Sequence, residues 1–150
     1  MLKQQIQEDL KNAIFAKDEN KLSTIRMLKS AIQYYEIQKG GAGYEATDED
    51  VIDVIGKEVK KRKESIELYE KGGRTESAEK EREEAKILEG YLPQQLSENE
   101  IAQFVDAAIS QTGATSIQDM GKVMGALMPK TKGKADSTLV SNLVRQKLAS

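Results

Sequence analysis

The chain has 150 residues, 38% of them hydrophobic and 32% charged, with a formal net charge of −2. It contains no cysteine and no histidine. That excludes disulfides, thiolate nucleophiles, Cys-based zinc sites, Ser-His and Cys-His pairs and the commonest metal ligand. Aromatic residues make up only 5%, which argues against an all-β sandwich, whose strands fill with Tyr, Phe and Trp.

Nearly every segment carries a helical period. Residues 2–17 place Leu2, Ile6, Leu10, Ala13 and Ile14 on one stripe, and residues 20–38 do the same with Leu22, Ile25, Leu28, Ile32 and Tyr35. "KGGAGYEA" then breaks the pattern as a flexible loop. Thr47 followed by Asp48, Glu49 and Asp50 predicts a capped start with acids in the first turn, where they meet the positive end of the helix dipole. The helix it opens carries Ile52, Ile55, Val59, Ile66 and Tyr69 and stops at Gly72-Gly73. A fourth helix over about 75–90 has a thinner stripe of Ala78, Ala85, Ile87 and Leu88 and ends before Pro93.

Leu92-Pro93-Gln94-Gln95 is the expected boundary between an N-terminal domain, 1–93, and a C-terminal one, 94–150. Beyond it, Ser97 and Glu100 form the pattern of a capping box. Three short stripes follow: Ile101, Phe104, Val105, Ala108 and Ile109 up to Gly113; Met120, Val123, Met124 and Leu127 after a Ser116 cap; and Leu139, Val140, Leu143, Val144 and Leu148 after an Asp136 cap. The expected fold is all-α, a four-helix bundle-like part followed by a small three-helix domain. The N-terminus "MLKQQIQEDL" has no apolar signal core, and no 18-residue apolar run exists. The expectation is therefore a cytoplasmic protein without a membrane span.

Charge is unevenly placed. Residues 1–93 carry 17 basic and 20 acidic residues, whereas all six bases of the remainder lie at or beyond Lys122, opposed there only by Asp119 and Asp136. Such asymmetry points to an anionic partner. "KEVKKRKE", 57–64, is basic too, but Asp53, Glu64 and Glu67 sit one turn from Lys57, Lys60 and Lys63, so it reads as a self-neutralised face. Arg62 falls on the inner sector beside Ile55, Val59 and Ile66, and Glu81 falls among Ala78, Ala85 and Leu88. A charged pair fixing helix register across that seam is expected, rather than acid-base chemistry. "GGAGY" is no phosphate loop, and no strand precedes it.

The stretch "DMGKVMGALMPKTKGKAD", 119–136, stands apart. Gly121 and Gly125 stack on one side of a helix at a cost of about 1 kcal/mol each relative to Ala. Lys130, Lys132 and Lys134 then follow in a loop with Pro129 and Gly133. The glycine side suits either a packed neighbouring helix or a nucleic-acid backbone. Lys122, Arg145 and Lys147 add bases that contact phosphates without reading sequence. Phe104, the one aromatic in this half, reads as core, so a stacking platform for bases is missing.

"GGRTESAEKEREEAKILEGYLPQQLSENEI", 72–101, and "DMGKVMGALMPKTKGKADSTLVSNLVRQKL", 119–148, resemble the GatB/YqeY family, and the likeness to its free-standing bacterial YqeY-like members covers essentially the whole chain. The resemblance implies a helical bundle plus a three-helix domain similar to the tail of the B subunit of the glutamine-dependent tRNA amidotransferase, an appendage that contacts tRNA. It implies that Gly121, Lys122, Gly125, Lys130, Lys132, Gly133, Lys134, Ala135 and Asp136 occupy the tail's contact positions. The partner it implies is tRNA or a tRNA-enzyme complex. A module that docks on a partner protein through Met120, Met124 and Met128 is the alternative. Carbon-nitrogen ligation with glutamine as amide donor, an activity that the resemblance attaches by inheritance only, is the last alternative, and it finds no chemical means here, because the kinase-like domain and an amidase Ser-Lys pair are both absent. The expectation is a binding protein, not an enzyme, with no cofactor, no metal and no catalytic residue.

Overall fold

A computed structural model describes residues 1–149. Those residues form seven α-helices and no strand. The helices are α1 (Leu2–Ala16), α2 (Glu19–Gly40), α3 (Asp48–Lys71), α4 (Thr75–Glu89), α5 (Glu98–Thr112), α6 (Met120–Thr131) and α7 (Ser137–Ala149). The chain divides into two compact units, Met1–Leu92 and Pro93–Ser150.

In the first unit all four helices contribute to one core: Ile6 from α1, Ile25, Leu28 and Ile32 from α2, Val51, Val54, Ile55 and Val59 from α3, and Leu88 from α4. Each such side chain contributes about 1.5–3 kcal/mol when fully buried. The stripes read from sequence are displaced in two places. In α3 the inner face is Val51, Val54, Ile55, Val59 and Arg62, with Ile52 and Ile66 half-buried. In α1, Ile14 lies 49% exposed.

Helix ends follow side-chain chemistry. Asp18 accepts the Lys21 N–H at 3.1 Å and starts α2. Thr47 and Asp50 close a reciprocal capping box on α3, at 3.2 and 3.1 Å. The "KGGAGYEA" stretch is more ordered than its glycines suggest. Helix α2 runs on to Gly40 and a 3-10 turn covers Gly41–Gly43. The segment is strapped down by Asp50, whose carboxylate accepts from Tyr44 Oη at 2.5 Å, Tyr35 Oη at 2.8 Å and Lys39 Nζ at 3.2 Å. Tyr44 first, then the Thr47 N–H, holds that carboxyl well below the usual range.

The second unit closes its own core from Ile101, Val105 and Ala108 of α5, Val123 and Leu127 of α6, and Val140, Val144 and Leu148 of α7. Ser97 accepts the Glu100 N–H at 3.2 Å and opens α5, and Gly113, at φ +67°, ends it. Asp136 receives the Thr138 N–H at 3.0 Å at the start of α7. Two boundaries depart from the sequence reading. Ser116 opens a 3-10 turn, Ile117–Asp119, and α6 begins only at Met120. Helix α6 also continues through Pro129 to Thr131, so Lys130 belongs to its last turn and not to the loop. Buried Thr131 fixes that turn by donating its hydroxyl to the Leu127 carbonyl at 3.2 Å.

Candidate functional site

The basic pole of the second unit is built around α6. Before it, the Asp119 carboxylate accepts the N–H groups of Thr115 and Ser116, at 2.9 and 3.3 Å. Those two bonds, Thr115 first, hold it below the ordinary carboxylate range, with Lys122 adding to the effect. Val123 and Leu127 face the core, which turns Gly121, Lys122 and Gly125 outward, all three exposed.

A Cβ added at Gly121 or at Gly125 would meet nothing within 4 Å. The glycines therefore do not seat a neighbouring helix within the unit, and of the two roles open to them in sequence, internal packing is set aside. Pro129 stands four residues after Gly125 and has no N–H to give the Gly125 carbonyl. The result is a stretch of bare backbone, bracketed by Ile117 at 49% and Met128 at 43% exposure.

The loop after α6 is tied from below. Gly133 turns the chain at φ +76°, a conformation that suits glycine. The Lys134 and Ala135 N–H groups both donate to the Thr131 carbonyl, at 2.9 and 3.1 Å. The Gln95 side chain donates to the carbonyls of Pro93 and Gly133, at 2.8 and 3.0 Å, and the Leu96 N–H donates to the Lys134 carbonyl at 2.8 Å. Loop carbonyls are thus engaged by the segment that precedes α5, while the side chains of Lys132 and Lys134 remain exposed. Lys130 sets its Nζ over the Phe104 ring, 5.9 Å from the centroid. Phe104 is only half-buried, so its ring is shared between core and cation. Lys122, Lys130, Lys132 and Lys134 take part in no ion pair among the described residues.

The two bases of α7 differ from these. Arg145 is exposed and reaches Asn142 Oδ1 at 3.5 Å. Lys147 is drawn onto α5, 2.5 Å from Asp106 and 3.4 Å from the Ala102 carbonyl. It is a strut between helices. Sequence reading missed Gln95 and the Phe104–Lys130 contact. Phe104 carried a weak signal, since it stands at the edge of its stripe, whereas nothing in "PQQL" signals that an amide lands on Gly133.

In the first unit Arg62 is buried and its Nη1 lies 3.2 Å from Glu81 Oε2 and 2.7 Å from Glu84 Oε2. Glu84 is the shorter contact. It stands three residues after Glu81 and four before Leu88, so the helical period places it on the same face. The outer charges of "KEVKKRKE" pair as Lys61–Glu58 at 3.5 Å and Lys63–Glu89 at 3.6 Å. Lys63 thus crosses the α3–α4 hairpin instead of reaching along its own helix to Glu67. No group of acids that could hold a metal occurs among the described residues, and no helix among them is long and apolar enough to cross a membrane.

Comparison with known proteins places this architecture. The sequence model of the Yqey-like protein family matches residues 3–148. The chain belongs to the YqeY-like family. Among curated relatives, "Altered inheritance of mitochondria protein 41, mitochondrial" of Pyrenophora tritici-repentis is 32% identical over 146 residues, covering 94% of this chain and 77% of the relative. The protein of the same name from Saccharomyces cerevisiae strain YJM789 is 30% identical over 145 residues, 91% of this chain and 77% of the relative. That of Lachancea thermotolerans is 38% identical over 90 residues, 59% and 46% respectively.

These relatives are fungal YqeY-like proteins named as mitochondrial, not bacterial ones. They overturn the cytoplasmic expectation. The physical reason is plain. A missing apolar signal core bears on secretion, whereas a mitochondrial transit segment is amphipathic and Arg-rich and carries no such core.

Proposed function

We propose that this YqeY-like protein is a tRNA-binding accessory protein, with the α6 pole of its second unit as the RNA-facing surface and with no catalytic step of its own. One observation carries the reading: two successive turns of α6 carry glycines open to solvent, with exposed Lys122 on the same helix and exposed Lys130, Lys132 and Lys134 in its last turn and the loop that follows. Bare backbone admits another backbone closely, and unpaired lysines contact phosphates without reading sequence. Exposed Arg145 extends the set. The resemblance of residues 119–148 to the amidotransferase tail supports the same assignment. RNA on such a surface is recognised through its backbone and shape.

A second reading rests on Ile117 and Met128, the exposed apolar side chains at either end of the glycine face. They suit an apolar docking surface for a partner protein. Salt separates the two readings. Binding of the purified chain to fluorescently labelled tRNA should weaken steeply between 50 and 200 mM salt, and pull-down of a partner enzyme from lysate should be abolished by nuclease. Capture of a partner that survives both nuclease and high salt would replace the RNA reading with the docking one.

A further inference from the structure

Arg62 sits where three helices of the first unit meet, 6% exposed, and its guanidinium is used unequally. Nη1 holds Glu84 and Glu81 of α4. Nη2 reaches the sulfur of Met27 on α2 at 3.8 Å. Nε–H has no partner, and among the described residues it is the one buried side-chain donor left in that state. Nε–H and an Nη2–H lie along one edge of the planar group, an edge suited to two parallel bonds with an oxygen acceptor. Here α2 offers it a thioether, which is a weak acceptor.

We propose that Met27 is a site of reversible oxidation by hydroperoxides, and that its sulfoxide oxygen completes the open edge of Arg62 and fastens α2 to the α3–α4 seam. Met27 is 52% exposed, so the side chain that carries the sulfur is open to solvent along about half its surface. Its lone pair attacks one peroxide oxygen and the O–O bond breaks as the S–O bond forms. The departing oxygen takes up the proton and leaves as water, or as an alcohol from an organic hydroperoxide. Sulfur loses two electrons and the peroxide gains them. A sulfoxide reductase with a thiol donor reverses the step.

Oxidation of a methionine ordinarily loosens packing, because a polar oxygen enters an apolar site. At Met27 the sign is opposite: half the residue is in solvent, and its sulfur already lies 3.8 Å from Nη2 of the guanidinium whose Nε–H has nothing to bind. Met1 and Met128 are exposed as well, but no orphaned buried donor exists at either. The inference concerns the first unit alone and does not depend on RNA binding.

The test treats the full chain with dilute hydrogen peroxide, maps sulfoxides by peptide mass spectrometry, and follows thermal melting and amide exchange over residues 19–40. Met27 should convert before half-buried Met120 and Met124. The Tm of the Met27-oxidised protein should rise by about 4 °C, the scale of one newly satisfied buried donor in a domain of this size, with slower exchange in α2. Sulfoxide reductase should restore the original values. Met27→Leu should abolish the gain although Met1 and Met128 still oxidise, and Met27→Gln, whose amide oxygen supplies an acceptor, should reproduce it without peroxide. A Met27 sulfoxide that leaves Tm unchanged or lowers it overturns the proposal, as does a gain that persists in Met27→Leu.

Discussion

Replacing Lys130, Lys132 and Lys134 together with Gln tests the RNA surface quantitatively. The structure sets the expected size. Lys132 and Lys134 are exposed, and Lys130 stands over Phe104 and not against an acid, so each is able to displace a counterion from a phosphate. One phosphate contact contributes about 0.7–0.9 to the slope of log affinity against log salt, so three contribute roughly 2–3. Between 50 and 200 mM salt that corresponds to an affinity loss of about 20–40-fold attributable to these three side chains alone. The variant should bind tRNA more weakly at low salt and lose that much less as salt is raised. Fluorescence anisotropy with labelled tRNA across a salt series reads both quantities. Folding is controlled by circular dichroism. Thr131 and Gly133, which shape the loop, are untouched, and loss of the Lys130 cation from the last turn of α6 costs only about 0.3–1 kcal/mol. An unchanged affinity and an unchanged slope would refute the reasoning and leave the lysines as a solvated turn.

Three further outcomes are expected. A Cβ at Gly125 meets nothing within 4 Å, so Gly125→Leu should keep the fold, raise helix stability by up to about 1 kcal/mol and weaken tRNA binding; unfolding of the second unit in a thermal melt would contradict the open geometry. Arg62→Ala, which strands two carboxylates at a buried seam, should cost about 3–5 kcal/mol in urea unfolding, whereas Glu84→Gln should cost less because Glu81 keeps its bond to Arg62. Acid should loosen the end of the first unit where α1 starts and the strap lies. Asp50 is held low by Tyr44, Glu36 by Lys3 and the Ala46 N–H, and Asp48 by the Leu2 N–H. Carboxyls depressed in the folded state stabilise it at neutral pH, and that contribution is lost as pH falls below about 4. Amide exchange should quicken over residues 40–48 first, and Asp50→Asn should weaken the fold at pH 7 while flattening its acid sensitivity.

The all-α class was legible because each helix announces itself by period and cap. Thr47, Ser97 and Asp136 all act where the sequence puts them. What stayed hidden was whatever depends on partners distant in sequence. Two stripes of α3 are apolar, one through Ile52 and one through Val51 and Val54, and only the helices packed against it decide that the second is buried. Leu92-Pro93-Gln94-Gln95 read only as a domain boundary, but Gln95 and the Leu96 that follows bind the carbonyls of a loop nearly forty residues on. Lys147 read as one more exposed base, and Asp106 on another helix makes it a strut. Pro129 read as part of the lysine loop, but a proline in the last turn of a helix removes one hydrogen bond without preventing the turn, because Thr131 and the Lys132 N–H bond to carbonyls earlier in the same helix.

The glycines of α6 can be weighed on stability alone. Gly121 and Gly125 together cost about 2 kcal/mol relative to Ala, a large fraction of what a small three-helix unit retains. Nothing within the unit recovers it, since a Cβ at either position finds open space. Neither glycine has positive φ, so no backbone conformation requires it either. By internal packing alone, alanine would serve better at both sites. The physical consequence of having glycine there is a strip of uncovered backbone, one carbonyl of which Pro129 leaves without its helical donor. A cost borne on the surface and returned nowhere inside the fold is what the RNA-binding proposal would account for. On that proposal Gly125→Leu, which adds stability while filling the strip, is the substitution in which folding and binding must move in opposite directions.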